Sequence, residues 1–215
     1  MYRLKTLLGA AAALSLMAIG PATAQIELVT NGGFETGDFT GYVGFPTGPG
    51  QQNVVSTNPS SGNFAAEIVN DVAFSNSLFK AANLAPGLLT AGQTVNISFD
   101  ARGSYAAPGG VAFAEFFTEL SGGGTSSAEI LGGAPLAINS DPDVWTTFNF
   151  STVVGPDSSG GITLQLGATN GPGTPTTMYY DNVSVTVDSL IPEPTSMILM
   201  GLGGLAMVGR RRKKA

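Results

Sequence analysis

Between Thr94 and Ala101 apolar and polar residues alternate without a break: Val95, Ile97, Phe99 and Ala101 fall on one side, Asn96, Ser98 and Asp100 on the other. A period of two sends successive side chains to opposite faces of an extended strand, so this segment has one buried face and one wet face. The pattern recurs from Ile162 to Ala168, with Ile162, Leu164, Leu166 and Ala168 inward, and from Tyr179 to Val187, where Val183, Val185 and Val187 share a side. Phe64 to Val69, Val111 to Leu120 and Thr146 to Val153 read as further strands, and Ile26 to Val29 as an opening one. No stretch of the middle segment sustains the 3.6-residue period of an amphipathic helix. Gly109-Gly110, Gly122-Gly123-Gly124, Gly132-Gly133, Gly160-Gly161 and Gly171-Pro172-Gly173 separate the runs and supply turns that a strand interior would not tolerate. Short strands at this spacing predict one all-β domain over residues 25–190, an antiparallel β-sandwich of two packed sheets without internal repeats.

Both ends depart from that pattern. Arg3 and Lys5 precede an apolar run from Leu7 to Ile19, Pro21 ends it, and Ala22-Thr23-Ala24 supplies small residues for signal peptidase, so residues 1–24 read as a signal peptide cut after Ala24. A transmembrane anchor is the other reading, but the run is short for a hydrocarbon core of about 30 Å. At the far end Pro192, Glu193 and Pro194 break the β pattern, residues 195–209 are small and apolar, and Arg210, Arg211, Arg212, Lys213 and Lys214 form a basic run. As a helix, residues 195–209 would rise about 22 Å, short for a bilayer unless the basic side chains snorkel and the membrane thins, so they read as a weak single transmembrane anchor in the inner membrane. The positive-inside rule leaves the basic end in the cytoplasm and the β domain outside.

Setting these ends aside changes the charge. Between Gln25 and Ile191 fourteen acidic residues face only Lys80 and Arg102, a formal charge of −12. Such a surface repels nucleic acid, whose phosphates need clustered Lys and Arg, and favours cations. The chain has no cysteine and no histidine, which removes disulfides, the usual zinc ligands and most nucleophile–base pairs, and disfavours an enzyme. Glu115 and Glu119 could be offered as a glycosidase pair, but residues four apart on a strand stand about 13 Å apart, too far for either hydrolytic geometry.

A sugar-binding role needs aromatic platforms with polar neighbours. Candidates are Tyr42 and Tyr105, near turns, and Phe113 and Phe117, which share a strand face with Glu115 and Glu119 that could line a shallow groove. The tyrosines, Tyr179 and Tyr180 included, could equally seal an end of the sandwich. Trp145, beside Phe148 and Phe150, reads as core or sheet-edge packing rather than a platform.

Two resemblances enter on these residues. Ile191-Pro192-Glu193-Pro194, the short Gly-rich apolar stretch and Arg210 to Lys214 together resemble the PEP-CTERM sorting signal of Gram-negative bacteria, residues 191–215. That resemblance implies a membrane-held precursor cut near Pro-Glu-Pro by an exosortase, in organisms that make extracellular polysaccharide. An ordinary tail anchor would explain the basic cap but not Pro-Glu-Pro. The second covers Asn31 to Val187. Asn31-Gly32-Gly33-Phe34-Glu35, Ser61-Gly62-Asn63-Phe64-Ala65-Ala66-Glu67, Val95 to Arg102, Trp145 to Phe150 and Tyr179-Tyr180-Asp181-Asn182-Val183 occur in the order seen in carbohydrate-binding jelly rolls of the galactose-binding-like type. It departs at Tyr42, where that family usually has Trp, and residues 103–143 match none of its motifs. This resemblance implies a structural calcium held by Glu35 and Asp181, with Asn31 and Asp38 as weaker ligands, and a non-catalytic domain that binds carbohydrate. Calcium takes six to eight oxygens, which carboxylates and the carbonyls of a Gly-rich loop can supply. Two alternatives stay open: Glu35 and Asp181 as acceptors of loop N–H groups, and a structural or adhesive matrix protein without specific sugar binding.

Overall fold

The computed structural model describes residues 25–173 and 175–188; the expected leader, 1–24, and most of the expected sorting segment's approach, with all of 191–215, lie outside the described residues. Among the described residues no helix is long and apolar enough to cross a membrane. The strands, in chain order, are β1 (Ile26–Glu27), β2 (Val43–Phe45), β3 (Gln52–Val55), β4 (Ala65–Asn70), β5 (Ser75–Leu84), β6 (Thr94–Ser104), β7 (Val111–Glu119), β8 (Thr125–Ile130), β9 (Thr146–Val153), β10 (Gly161–Asn170) and β11 (Thr176–Val187). They form an all-β sandwich of two antiparallel sheets, one ordered β3-β4-β11-β6-β9 with β1 also on β11, the other β2-β5-β10-β7-β8.

The alternating residues meet where the pattern sends them. Val95, Ile97, Phe99 and Ala101 of β6 face Ile162, Leu164, Leu166 and Ala168 of β10 across one buried core, joined by Ala112, Ala114 and Phe116 of β7. In β11 the register shifts between Asp181 and Ser184, and Asn182 takes a left-handed φ of 51°. This bulge reverses the phase of the strand: Met178 and Tyr180 point inward before it, Val183, Val185 and Val187 after it. At the kink two consecutive residues, Tyr180 and Asp181, are both buried.

The opening motif packs directly on this bulge. The Val183 N–H donates to the Gly32 carbonyl at 2.8 Å, and a Cβ on Gly32 would stand 2.0 Å from the Val183 carbonyl oxygen, so only glycine allows the approach. Phe34, fully buried, is held at a φ of 56° and wedges among Phe39, Tyr42 and Phe79 at centroid distances of 5.8, 5.0 and 5.8 Å. Burying such a ring is worth about 2–3 kcal/mol, more than the 1–2 kcal/mol that a left-handed backbone costs. Finally, β1 lies against the end of β11, with Ile26 opposite Val187 and Glu27 opposite Thr186.

Candidate functional site

Two polar assemblies sit on this frame. The first lies where the opening motif, the bulge of β11 and the loop before β4 converge. Glu35 Oε1 accepts the N–H groups of Asn63 and Phe64 at 2.9 and 3.1 Å, and its Oε2 accepts the Asn63 side-chain amide at 3.0 Å. Asp181 Oδ2 accepts the N–H groups of Ser60 and Ser61 at 2.9 and 3.0 Å, while Oδ1 accepts that of Asn182 at 2.7 Å. Asp100 joins them, accepting hydroxyls of Ser60 and Thr147, both at 2.6 Å, and the Asn182 amide at 2.7 Å. Three carboxylates thus fasten one loop to both the opening and the closing motif.

Their acidities differ with their surroundings. The Asn63 N–H, then the Asn63 amide and the Phe64 N–H, hold Glu35 below its ordinary value. Burial pushes Asp181 up, with the Asp100 charge adding to it against the opposing N–H groups of Ser61, Asn182 and Ser60. Burial also pushes on Asp100, but the hydrogen bonds from Ser60, Thr147 and Asn182 outweigh it and leave that carboxyl lowered. Both oxygens of Glu35 and of Asp181 are therefore engaged by loop donors. The described residues contain no group of three or more His, Cys, Asp or Glu that could hold a metal ion. The two carboxylates that the resemblance offers to calcium are here the acceptors of loop donors. Asn31 and Asp38 serve their own turn: Asn31 donates to the carbonyls of Asp38 and Thr40, and Asp38 accepts from the Thr36 hydroxyl and the Thr40 N–H.

The second assembly is the outer face of the five-stranded sheet. Strand register aligns Val43, Lys80, Gln165, Glu115 and Ile130 in one row across β2, β5, β10, β7 and β8. Within it the Gln165 amide donates to the Glu115 carboxylate. The Lys80 ammonium lies 5.1 Å from the Phe45 ring centroid and 5.6 Å from that of Phe117. Phe45 is exposed and Phe117 half-buried, so a polar stripe is bordered by accessible aromatic surface, beside a depression of about 470 Å³. Hydroxyls on the stripe and C–H groups on the rings are what a sugar offers.

The other expected sugar contacts fall elsewhere. Tyr42 is a correction: its ring stacks on Phe34 in the core, and burial raises its phenol far above the ordinary range, so it presents no platform. Tyr105 packs against the core and donates its hydroxyl to the Leu136 carbonyl at 3.0 Å, sealing an end of the sandwich. Phe113 lies on the predicted outer face but is only 7 % exposed, because it fills the space over Gly167, where a Cβ would stand 2.4 Å from its Cζ. Phe117 keeps part of its ring open on the outer sheet face. Trp145 is sheet-edge packing: its indole N–H donates to the Asn58 carbonyl, and its ring lies 5.1 Å from the Arg102 guanidinium, which stacks at 3.8 Å on Tyr179. Phe45, Lys80 and Gln165 were missed by the pattern reading. Lys80 was marked only as one of two basic residues, and the short β2 carrying Phe45 has no alternation to find.

Comparison with solved structures finds the same two-sheet fold in carbohydrate-binding modules and in other proteins. The CBM22-1 xylan-binding domain from Paenibacillus barcinonensis matches with a TM-score of 0.55 at 11% identity, over 77% of this chain and 97% of that one. The CBM22-1-CBM22-2 tandem from the same organism gives 0.56 at 12%, over 82% and 49%. A Stig cyclase from Fischerella sp. TAU matches comparably, 0.51 at 15% over 77% and 99%, so the fold is shared by modules and enzymes alike. No curated protein matches the chain. Residues 190–213 match the PEP-CTERM protein-sorting motif, so the chain carries that signal at its C-terminus, including Pro192, Glu193, Pro194 and the basic residues Arg210, Arg211, Arg212 and Lys213.

Proposed function

We propose that this protein is exported, held briefly in the inner membrane, cut by an exosortase near Pro192-Glu193-Pro194, and delivered to the cell surface or its surroundings as a non-catalytic module for extracellular polysaccharide. The observation that carries the reading is the sorting motif at residues 190–213 on a chain whose body is a module-type sandwich. The motif supports an exported, membrane-anchored precursor. In this reading signal peptidase removes residues 1–24, residues 195–209 span the membrane, and Lys214 completes the basic cap. Phe45, Lys80, Phe117 and Glu115 meet the sugar, the rings by stacking and the two charged groups by hydrogen bonds, while the buried Gln165 holds the Glu115 carboxylate in place.

The test has two parts. Mass spectrometry of the protein recovered from outside the cell should find a species lacking Arg210 to Lys214, and an extracellular form that keeps them contradicts the sorting reading. Affinity electrophoresis of that species through gels containing xylan, galactan or the host's own polysaccharide should show retardation that Phe117→Ala and Phe45→Ala weaken. A second reading, a structural or adhesive matrix protein, is favoured by the burial of Tyr42, Tyr105 and Phe113, which leaves little aromatic surface on this face. Free migration through every gel would select it.

A further inference from the structure

One cross-strand row of the five-stranded sheet carries three groups that can react with one another. Lys80 of β5 stands directly opposite Gln165 of β10, and Gln165 stands directly opposite Glu115 of β7. Directly opposed residues bring their Cβ atoms within about 5 Å, so the four-carbon arm of Lys80 reaches the side-chain carbonyl carbon of Gln165 without movement of the backbone. All three strands are interior to the sheet, each paired on both sides, which holds the side chains in register.

Gln165 is 7% exposed, and Lys80 and Glu115 are half-buried on either side of it. Its amide nitrogen donates to the Glu115 carboxylate, which fixes the amide in the row between that carboxylate and the strand of Lys80. The Lys80 ammonium lies 5.1 Å from the ring centroid of Phe45 on β2 and 5.6 Å from that of Phe117 on β7. Those strands flank β5 and β10, so the two rings keep the arm over the pair to be joined. Among the described residues Lys80 forms no ion pair, although Glu115 shares its row. The chain has no cysteine, so no disulfide can staple this exported sheet.

We propose that Lys80 and Gln165 join in an intramolecular isopeptide bond, with Glu115 as the catalytic acid and base. Glu115 takes a proton from the Lys80 ammonium, and the free amine attacks Cδ of Gln165. As the Nζ–Cδ bond forms, Nε2 receives a proton from Glu115, to which it is already hydrogen-bonded, and the Cδ–Nε2 bond breaks. A second Nζ proton follows the same route, so the nitrogen leaves as ammonium and the Glu115 carboxylate is restored. One lysine ammonium and one primary amide become one secondary amide and one ammonium ion, and no oxidant or other reactant is consumed. The register makes the three groups neighbours, which turns the step into a unimolecular one. The bond does not depend on sugar binding: Phe45, Phe117 and Glu115 stay on the face, and an amide N–H replaces the ammonium.

Protein purified from its host is denatured and digested, and the peptides carrying Lys80 and Gln165 are weighed by mass spectrometry. They should appear as one branched peptide, lighter than the two together by one ammonia. Glu115→Gln and Lys80→Arg should each release two separate peptides of full mass, since the first loses the proton carrier and the second keeps the charge but not the nucleophile. Lys80→Arg should also melt below wild type, because the link closes a long loop of the unfolded chain. Separate peptides of full mass from the wild type overturn the inference, whether or not either variant folds. A branched peptide that persists in Glu115→Gln overturns the role given to that carboxylate. Ammonia lost only at Gln25, by closure of an N-terminal glutamine on its own amine, would lower the intact mass equally but leave the two peptides free, and it too overturns the inference. Retention in polysaccharide gels is read separately: free Lys80 with retention leaves the sugar reading standing, and a branched peptide with free migration leaves this one.

Discussion

Among single residues, Asp181 and Asp100 show how one loop can be tied by groups of opposite pH response. Asp100 and Glu35 are lowered, so their contribution is complete above the ordinary carboxylate range and is lost as pH falls through their lowered values. Asp181 is raised, so the stability linked to its protonated form is present at acid pH and is lost as pH rises through its raised value. Melting curves taken from neutral pH downward should therefore contain a gain and then a loss. Asp181→Asn should remove the gain and keep the loss; a variant that keeps both would place the gain on another group. Arg102 is the other residue on which the loops depend. It is 3% exposed, stacked on Tyr179, and donates to the Thr57 carbonyl at 2.9 Å, while its partner Asp143 is open to solvent. Lysine has neither the planar surface nor the fork, so Arg102→Lys should cost about 2 kcal/mol in urea unfolding despite keeping the charge. Neither residue's task was legible in sequence: Asp181 stood in a recognisable motif, but only the fold shows that Ser60 and Ser61 supply its donors.

Strands were legible in proportion to how clean their alternation is. β6, β9 and β10 are legible within a few residues because each places mainly apolar side chains on the core side and mainly polar ones outside, and β7 because glutamates interrupt its outer face. β5, as long as β10, was not: its inner side carries Ser77, Phe79 and Ala81 and its outer side Leu78 and Lys80, so hydrophobicity does not separate the faces. β2, β3 and β8 are short or lie at or near sheet edges, where the requirement for an apolar face relaxes. The outer face of β10 was hidden for a related reason. Gly167 looks like a strand breaker, but its missing side chain is the seat of Phe113 and stands 2.8 Å, by its notional Cβ, from Leu78 Cβ. Gly167→Val should destabilise by about 2 kcal/mol through overpacking, and Phe113→Ala in the same chain should recover part of that, as a double-mutant cycle would show.

At the scale of the molecule, an acidic sandwich without disulfides must hold its loops by other means. The carboxylate junction supplies one through its hydrogen bonds: if these suffice, addition of a chelator should leave the melting temperature unchanged, whereas a chelator-dependent fall abolished by Glu35→Ala or Asp181→Ala would place calcium at the junction. Sequence alone marks the two ends off from the body, because a change of period and charge is visible without coordinates. It could not rank the aromatic residues by exposure, since a ring over a glycine and a ring over water have the same letter.

The lateral pairing of β1 with the end of β11 means that the polypeptide enters and leaves the sandwich at one pole. β11 is twelve residues long, so the turn from which it starts, beside Phe74 and Asn170, lies roughly 35–40 Å away at the opposite pole. The two poles are thus farther apart than the hydrocarbon layer of a membrane is thick, about 30 Å.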